Sequence, residues 1–334
     1  MRKQITFAVQ GVVSIALLVL LFRRIDLSAL RMLYTSMPLW FYGLSLAVVV
    51  LGQVLYAWRW RQVLAASGVS VSVTTAVQQY FIGIFLNNFF PSTVGGDMAK
   101  VYYLGRQHGY RPIAASIVLD RLLSVGLLAV LATAMYWVAP DPSPRFVATR
   151  AVVTAMAATL IVFLILAARG TGGLPARLSR FGTMAVDLAE RAQRFRHDMA
   201  GAARRPQIIL QSAAVVTTYF LALTVVYRIF FTINGASHPP FLTLLTAVTT
   251  ASFLSNLPVS VNGLGLREQL HVLLLQPLGV PREAAVGISL LIFAHLLVSS
   301  LFGLVFWLRL PAMPSEDPES QISSSESQVP IANP

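Results

Sequence analysis

Apolar positions along the chain gather into blocks too long and too continuous for the alternating faces of a soluble fold. Such blocks cover residues 5–22, 39–57, 113–138, 146–168, 208–231 and 284–308. A helix that crosses a bilayer needs about 20 mostly apolar residues, so each block predicts a span. The first is followed by Phe22-Arg23-Arg24-Ile25-Asp26 rather than by the small residues of a cleavage site, and it reads as a retained span.

Two further apolar runs, 74–90 and 241–257, are shorter. Each ends against a proline, Pro91 or Pro258, and carries asparagine at its far end: Asn87 and Asn88 in the first, Asn256 in the second. They predict re-entrant segments. The expected fold class is thus an all-α polytopic membrane protein with six transmembrane helices and two re-entrant helical hairpins. Eight full spans is the alternative.

Charge gives the orientation. Residues 169–206 hold eight arginines against three acids, the most basic loop of the chain, and the positive-inside rule places it in the cytoplasm. Counting spans from there makes Lys100, Arg106 and Arg111 cytoplasmic. Arg59 and Arg61 read as a second cytoplasmic flank, so 74–90 must enter and return. By the same count 241–257 returns from the opposite face, and the chain beyond Arg309 is cytoplasmic. The two hairpins would then make an inverted repeat. Leu174, Leu178, Phe181, Met184, Leu188, Phe195 and Met199 form one helical stripe, so 174–199 predicts an amphipathic linker helix on the cytoplasmic headgroups. The chain divides into a membrane domain, 1–310, and an acidic, Ser/Pro-rich tail, 311–334, expected to be disordered.

Composition narrows the function. Of 334 residues, 56% are hydrophobic and only 11% charged, against about 25% charged in an average soluble domain. A soluble enzyme is excluded on that ground. There is no cysteine, which removes disulfides, thiol catalysis and Cys-ligated zinc. The net charge of +12 suits an anionic membrane surface, because the basic residues lie in short loops between apolar runs. No cofactor and no nucleic-acid partner is expected.

The hairpins also resemble one another in sequence. The first reads Asn87-Asn88-Phe89-Phe90-Pro91-Ser92-Thr93-Val94-Gly95-Gly96-Asp97-Met98-Ala99-Lys100. The second reads Asn256-Leu257-Pro258-Val259-Ser260-Val261-Asn262-Gly263-Leu264-Gly265-Leu266-Arg267-Glu268. Paired Gly/Pro-broken segments in two halves of a membrane chain point to a transporter's binding site. Glycine lets backbone N–H groups approach a ligand, and a helix starting just beyond presents its positive end to an anion. The candidate site residues are Gly95, Gly96, Asp97, Lys100, Asn262, Gly263, Gly265, Arg267 and Glu268. Asp97 can equally serve as a simple helix N-cap. Asp120 and Arg121 join the site because charges inside a span are costly and should face a cavity. Adjacent residues on a helix point about 100° apart, so the two should pair with different elements. Arg228 is expected to reach the outer surface, and His271 and His295 to make contacts between helices.

At Pro91-Ser92-Thr93-Val94-Gly95-Gly96-Asp97, the Asp120-Arg121 pair and Gly263-Leu264-Gly265-Leu266-Arg267-Glu268, the sequence resembles the lysylphosphatidylglycerol synthase transmembrane-region family, over about residues 5–310. In two-domain members this region is similar to a lipid flippase, and a separate soluble domain makes the aminoacyl lipid. This sequence carries the polar tail there, so the resemblance implies translocation of a phospholipid or lipid-linked substrate without synthase activity. An intramembrane transferase, with Asp97 or Glu268 as base, and a non-transporting scaffold subunit are the competing readings. The expected location is the plasma membrane, the bacterial inner membrane. The oligomeric state is left open, with a homodimer considered.

Overall fold

The computed structural model describes residues 19–20, 23, 26–89, 95–139, 144–169, 205–237, 239–256, 260 and 263–310. Nearly all of the expected first span, the predicted linker helix at 174–199, the tail and Asn262 lie outside them. The described residues form ten α-helices: α1 (Leu27–Thr35), α2 (Leu39–Ala66), α3 (Val73–Phe89), α4 (Gly95–His108), α5 (Tyr110–Val138), α6 (Pro144–Arg169), α7 (Pro206–Ile233), α8 (Phe241–Ser255), α9 (Leu266–Leu275) and α10 (Arg282–Leu308). The all-helical expectation therefore holds.

Four helices, α2, α5, α7 and α10, are long and apolar enough to cross a membrane. They contain the predicted spans 39–57, 113–138, 208–231 and 284–308. The predicted span 146–168 falls in α6, where the apolar stretch among described residues is Ala148–Val162. The short α1 is started by Asp26, whose carboxylate accepts from the Ser28 N–H at 2.8 Å and the Ala29 N–H at 3.2 Å. It rests on α10, with the Tyr34 hydroxyl donating to the Gly287 carbonyl at 2.8 Å.

Helix lengths repeat. In α2 to α5 they run 28, 17, 14 and 29 residues. In α7 to α10 they run 28, 15, 10 and 27. At 1.5 Å per residue, α3 and α8 reach roughly 25 and 22 Å, short of a hydrocarbon core of about 30 Å. The chain folds back after each. Trp60 and Leu64 near the end of α2 share a cluster with Ile113 and Ile117 near the start of α5. So α3 and α4 leave one end of the bundle and return to it. Likewise Phe230, near the end of α7, lies against Gly287, near the start of α10. The pair α8 and α9 therefore also departs and returns.

The halves are interlocked. The long helices α2 and α7 run antiparallel, with Gly52 and Tyr56 on Tyr219 and Phe41 on Phe230. Helix α3 packs most extensively on α10 of the other half, and α8 on α5. Close approach makes the first contact: a Cβ at Gly303 of α10 would sit 2.1 Å from the Phe81 carbonyl oxygen of α3. Phe41, Phe230, Phe231, Leu244 and Ile288 are fully buried in the main core between these helices.

Candidate functional site

The folded-back ends of the two hairpins face a common cavity of about 410 Å³. Asn87, two residues before the end of α3, lines it on one side, and Asn256, just past the end of α8, on the other. Trp60, Tyr80, Asp97, Lys100, Asp120 and Arg121 also contribute to its wall. Four expected site residues thus meet in one place.

The charges are held in pairs. Arg59 Nε and Nη2 lie 3.0 and 2.7 Å from Asp120 Oδ1, and Nη2 reaches the Asp120 carbonyl at 3.3 Å. The same guanidinium contacts the Ser124 hydroxyl and stands 4.8 Å from the centre of the Tyr56 ring. Arg121, one residue along, pairs instead with Asp97 of α4. The expectation that Asp120 and Arg121 reach different elements is met. Lys100 Nζ lies 3.5 Å from the other Asp97 oxygen, and 5.0 and 4.6 Å from the ring centres of Trp60 and Tyr80. Asp97, Lys100, Asp120 and Arg59 are buried, whereas the Arg121 side chain is 55% exposed at the cavity's edge.

Arg59 was not among the sequence candidates. It read as a cytoplasmic flank, yet its side chain is 1% exposed and ion-paired. The apolar run appeared to end at Ala57, but α2 continues to Ala66. An arginine inside Tyr56-Ala57-Trp58-Arg59-Trp60 was the signal available. Arg61, in contrast, donates to the Val71 carbonyl at 2.8 Å and fastens the α2–α3 turn.

The first glycine pair has a different task from the one expected. Gly95 and Gly96 open α4, and Gly96 does not take a positive φ. A Cβ on Gly96 would stand 1.8 Å from the Gly83 carbonyl oxygen, so the missing side chain lets α4 close on α3 rather than admitting a ligand. The cap is also reassigned: Asn87 Oδ1 accepts from the Gly96 N–H at 2.9 Å, while the Asp97 carboxylate is turned to Arg121 and Lys100.

The second motif forms a separate cluster. Gly263 and Gly265 take φ of +74° and +78°, values that side-chain-bearing residues rarely adopt, so here the backbone argument for glycine holds. Glu268 is fully buried; Oε2 accepts from the Gly265 N–H at 2.8 Å, and Oε1 takes Arg267 Nη2 at 2.7 Å. Arg267 Nε reaches the Ser289 hydroxyl at 3.2 Å, and its guanidinium lies 4.5 Å from the Phe293 ring centre. His271 bridges the Arg267 carbonyl and the Tyr227 hydroxyl, both at 2.7 Å, a helix–helix contact as expected. These bonds fasten α9 to α7 and α10, and Arg267 and Glu268 are not part of the cavity wall. Asn262 lies outside the described residues.

The family described as the lysylphosphatidylglycerol synthase TM region matches residues 7–303 of this chain. A UPF0104 membrane protein of Pyrococcus horikoshii is 22% identical over 278 residues, covering 74% of this chain and 80% of that relative. No solved structure matches.

Proposed function

The chain belongs to the lysylphosphatidylglycerol synthase TM-region family, and we propose that it moves a phospholipid or lipid-linked substrate between the leaflets of the plasma membrane. The observation that carries this reading is the cavity between the two hairpins' ends, whose wall carries four charged side chains within a largely apolar helical bundle. Buried charges at membrane depth are expensive, and a bundle needing only stability would be better served by apolar packing there. A polar headgroup would occupy the cavity while its acyl chains stay in the lipid. The chain acts as a transporter, not as a synthase.

We also infer an inverted repeat. Its support is the antiparallel course of α2 and α7, the matching order of helix lengths, and the return of each hairpin to the end from which it left. One hairpin then opens from each face of the membrane, with the ends meeting at the cavity. The basic 169–206 loop and the tail take the cytoplasmic side. Purified chain in proteoliposomes, carrying acyl-labelled lipids scored for leaflet by a membrane-impermeant quencher, tests the function. Transfer above the rate of empty vesicles supports it. Transfer no faster than in empty vesicles, across phosphoglycerol, aminoacyl and sugar-linked lipids, refutes it.

A further inference from the structure

Between the cavity and the turn from α5 to α6 lies a seam of hydroxyls. Threonine inside a helix commonly turns its hydroxyl back to the carbonyl one turn earlier. Thr159, Thr224, Thr246 and Thr249 do so, at 2.8, 2.7, 2.8 and 2.7 Å. Thr133 of α5 and Thr154 of α6 do not: both hydroxyl oxygens are buried and have no hydrogen-bond partner among the described residues. Such groups cost stability, and valine would fill the same space without that cost. Their presence needs a reason other than packing.

Two contacts set the register of the antiparallel pair α5 and α6. The Arg150 guanidinium of α6 lies 4.7 Å from the centre of the Trp137 ring of α5, while Val125 of α5 and Leu160 of α6 both line the cavity. Thr133 is one turn before Trp137 and Thr154 one turn after Arg150, so the two threonines are level with each other, between the cavity and the turn. Tyr136, buried on the same stretch of α5, faces Thr250 of α8 and extends the seam to a third helix. From Val125 to Trp137 the seam runs roughly 18 Å at 1.5 Å per residue, more than half of a hydrocarbon core of about 30 Å.

The helix on the far side of this seam is held differently from the rest. Helices α3 and α8 each pack extensively on three others, but among the described residues α6 packs extensively on α5 alone. Val153 and Ala157 seat it there. A small tilt of α6 would part the seam along its length and leave the interlocked helices in place.

We propose, resting on the translocation reading, that the seam between α5 and α6, bordered by α8, is the route by which a polar lipid headgroup passes between the cavity and the opposite face. Thr133 and Thr154 are its stations, and Arg150 over Trp137 marks its far end. Hydroxyls donate and accept, so they hold phosphate oxygens, sugar hydroxyls or an ammonium in turn, without a charge that would trap any of them. The acyl chains remain in the lipid beside the outer surface of α6.

The full chain in proteoliposomes, with the acyl-labelled phosphoglycerol, aminoacyl and sugar-linked lipids and the impermeant quencher, tests the route. Thr133→Val and Thr154→Val should each slow transfer severalfold and together at least tenfold. Both should melt no lower than the parent chain, because each loses an unpaired buried hydroxyl. Thr159→Val, on the same helix with its hydroxyl bonded to the Ala155 carbonyl, should transfer at the parent rate. In the cysteine-free chain, Thr133→Cys with Thr154→Cys, bridged by a short bifunctional methanethiosulfonate, should stop transfer, and a reductant should restore it. A parent chain that moves lipid while the double valine variant and the bridged pair move it equally fast overturns the route and leaves translocation standing. A parent chain that moves none of the lipids refutes translocation, and the route with it.

Discussion

Arg59 and Asp120, 61 residues apart, form a buried ion pair in which two guanidinium nitrogens converge on one carboxylate oxygen. The pair ties the last turns of α2 to the first half of α5, the two helices between which the first hairpin departs and returns. It therefore fixes the frame that places Asp97 and Lys100 against the cavity.

Removing one partner leaves the other charge buried and uncompensated, at a cost of about 3–5 kcal/mol. Arg59→Met and Asp120→Leu should each lower thermal stability in detergent strongly. The double variant, with no orphaned charge, should recover much of that loss without recovering transfer. Additive destabilisation in the double variant would show that the two side chains are not coupled.

The approach of α3 and α4 makes a second prediction. Gly96→Ala places a methyl against the Gly83 carbonyl oxygen at 1.8 Å, and only a shift of backbone relieves it. Overpacking of this kind costs about 1–3 kcal/mol or more. Gly43→Ala, on α2 with nothing within 4 Å of the added Cβ, should be neutral or slightly stabilising. Melting curves of the two variants decide this, and equal curves would mean that the hairpin is not tightly closed.

The all-helical fold and four of the long apolar helices were legible in the sequence because the length of an apolar run sets them almost locally. The division of labour between the hairpins was not. Gly96 and Gly263 read alike, yet one permits helix contact and the other a positive φ, a distinction that depends on which backbone lies opposite. Arg267 and Glu268 looked as promising as Asp97 and Lys100, but Ser289, Phe293 and the Gly265 N–H absorb them. Those partners come from residues a sequence pattern does not connect. Arg59 was mistaken for a loop charge because charge counting treats every arginine near a span's end as solvated.

Glu268 separates a structural carboxylate from a ligand-binding one. Glu268→Gln keeps one acceptor, for the Gly265 N–H or for Arg267, and sets an amide N–H against the other donor, so it should fold with reduced stability. Glu268→Ala strips both and leaves Arg267 without its ion pair, so it should destabilise by about 3–5 kcal/mol. Neither should alter which lipid is preferred among molecules that fold. A changed headgroup preference in folded Glu268→Gln would bring this cluster into the substrate path.

The hairpin geometry predicts labelling. Cysteine at Ser67, after α2, and at His108, ending α4, should react from the same side, since the chain returns there. Cysteine at Asn234, after α7, should react from the opposite side with Gln276, past α9. The background is free of cysteine, so impermeant maleimide reads each site cleanly. Reaction of Ser67 and His108 positions from opposite faces would mean that 73–108 crosses the membrane.

Asp97 is the most informative single position. Were it a helix cap, asparagine would replace it with little loss, because asparagine caps about as well as aspartate. Its carboxylate instead holds Arg121 and Lys100, and the Gly96 N–H is taken by Asn87. Asp97→Asn and Asp97→Ala should therefore be nearly equal in effect, each releasing two cations from their shared partner. Loss of the carboxylate makes the cavity wall more positive by one charge, so anionic lipid should bind more tightly while transfer slows, because a substrate held too firmly leaves the site slowly. Asn87→Ala should do the reverse: it removes the acceptor from the start of α4, costs about 1 kcal/mol in stability, and leaves the cavity's charge as it was. Affinity and transfer rate measured on the same preparations separate the outcomes. Tighter binding with slower transfer in both Asp97 variants supports the charge role, and an Asp97→Asn protein that moves lipid normally while Asp97→Ala does not would return Asp97 to a capping role.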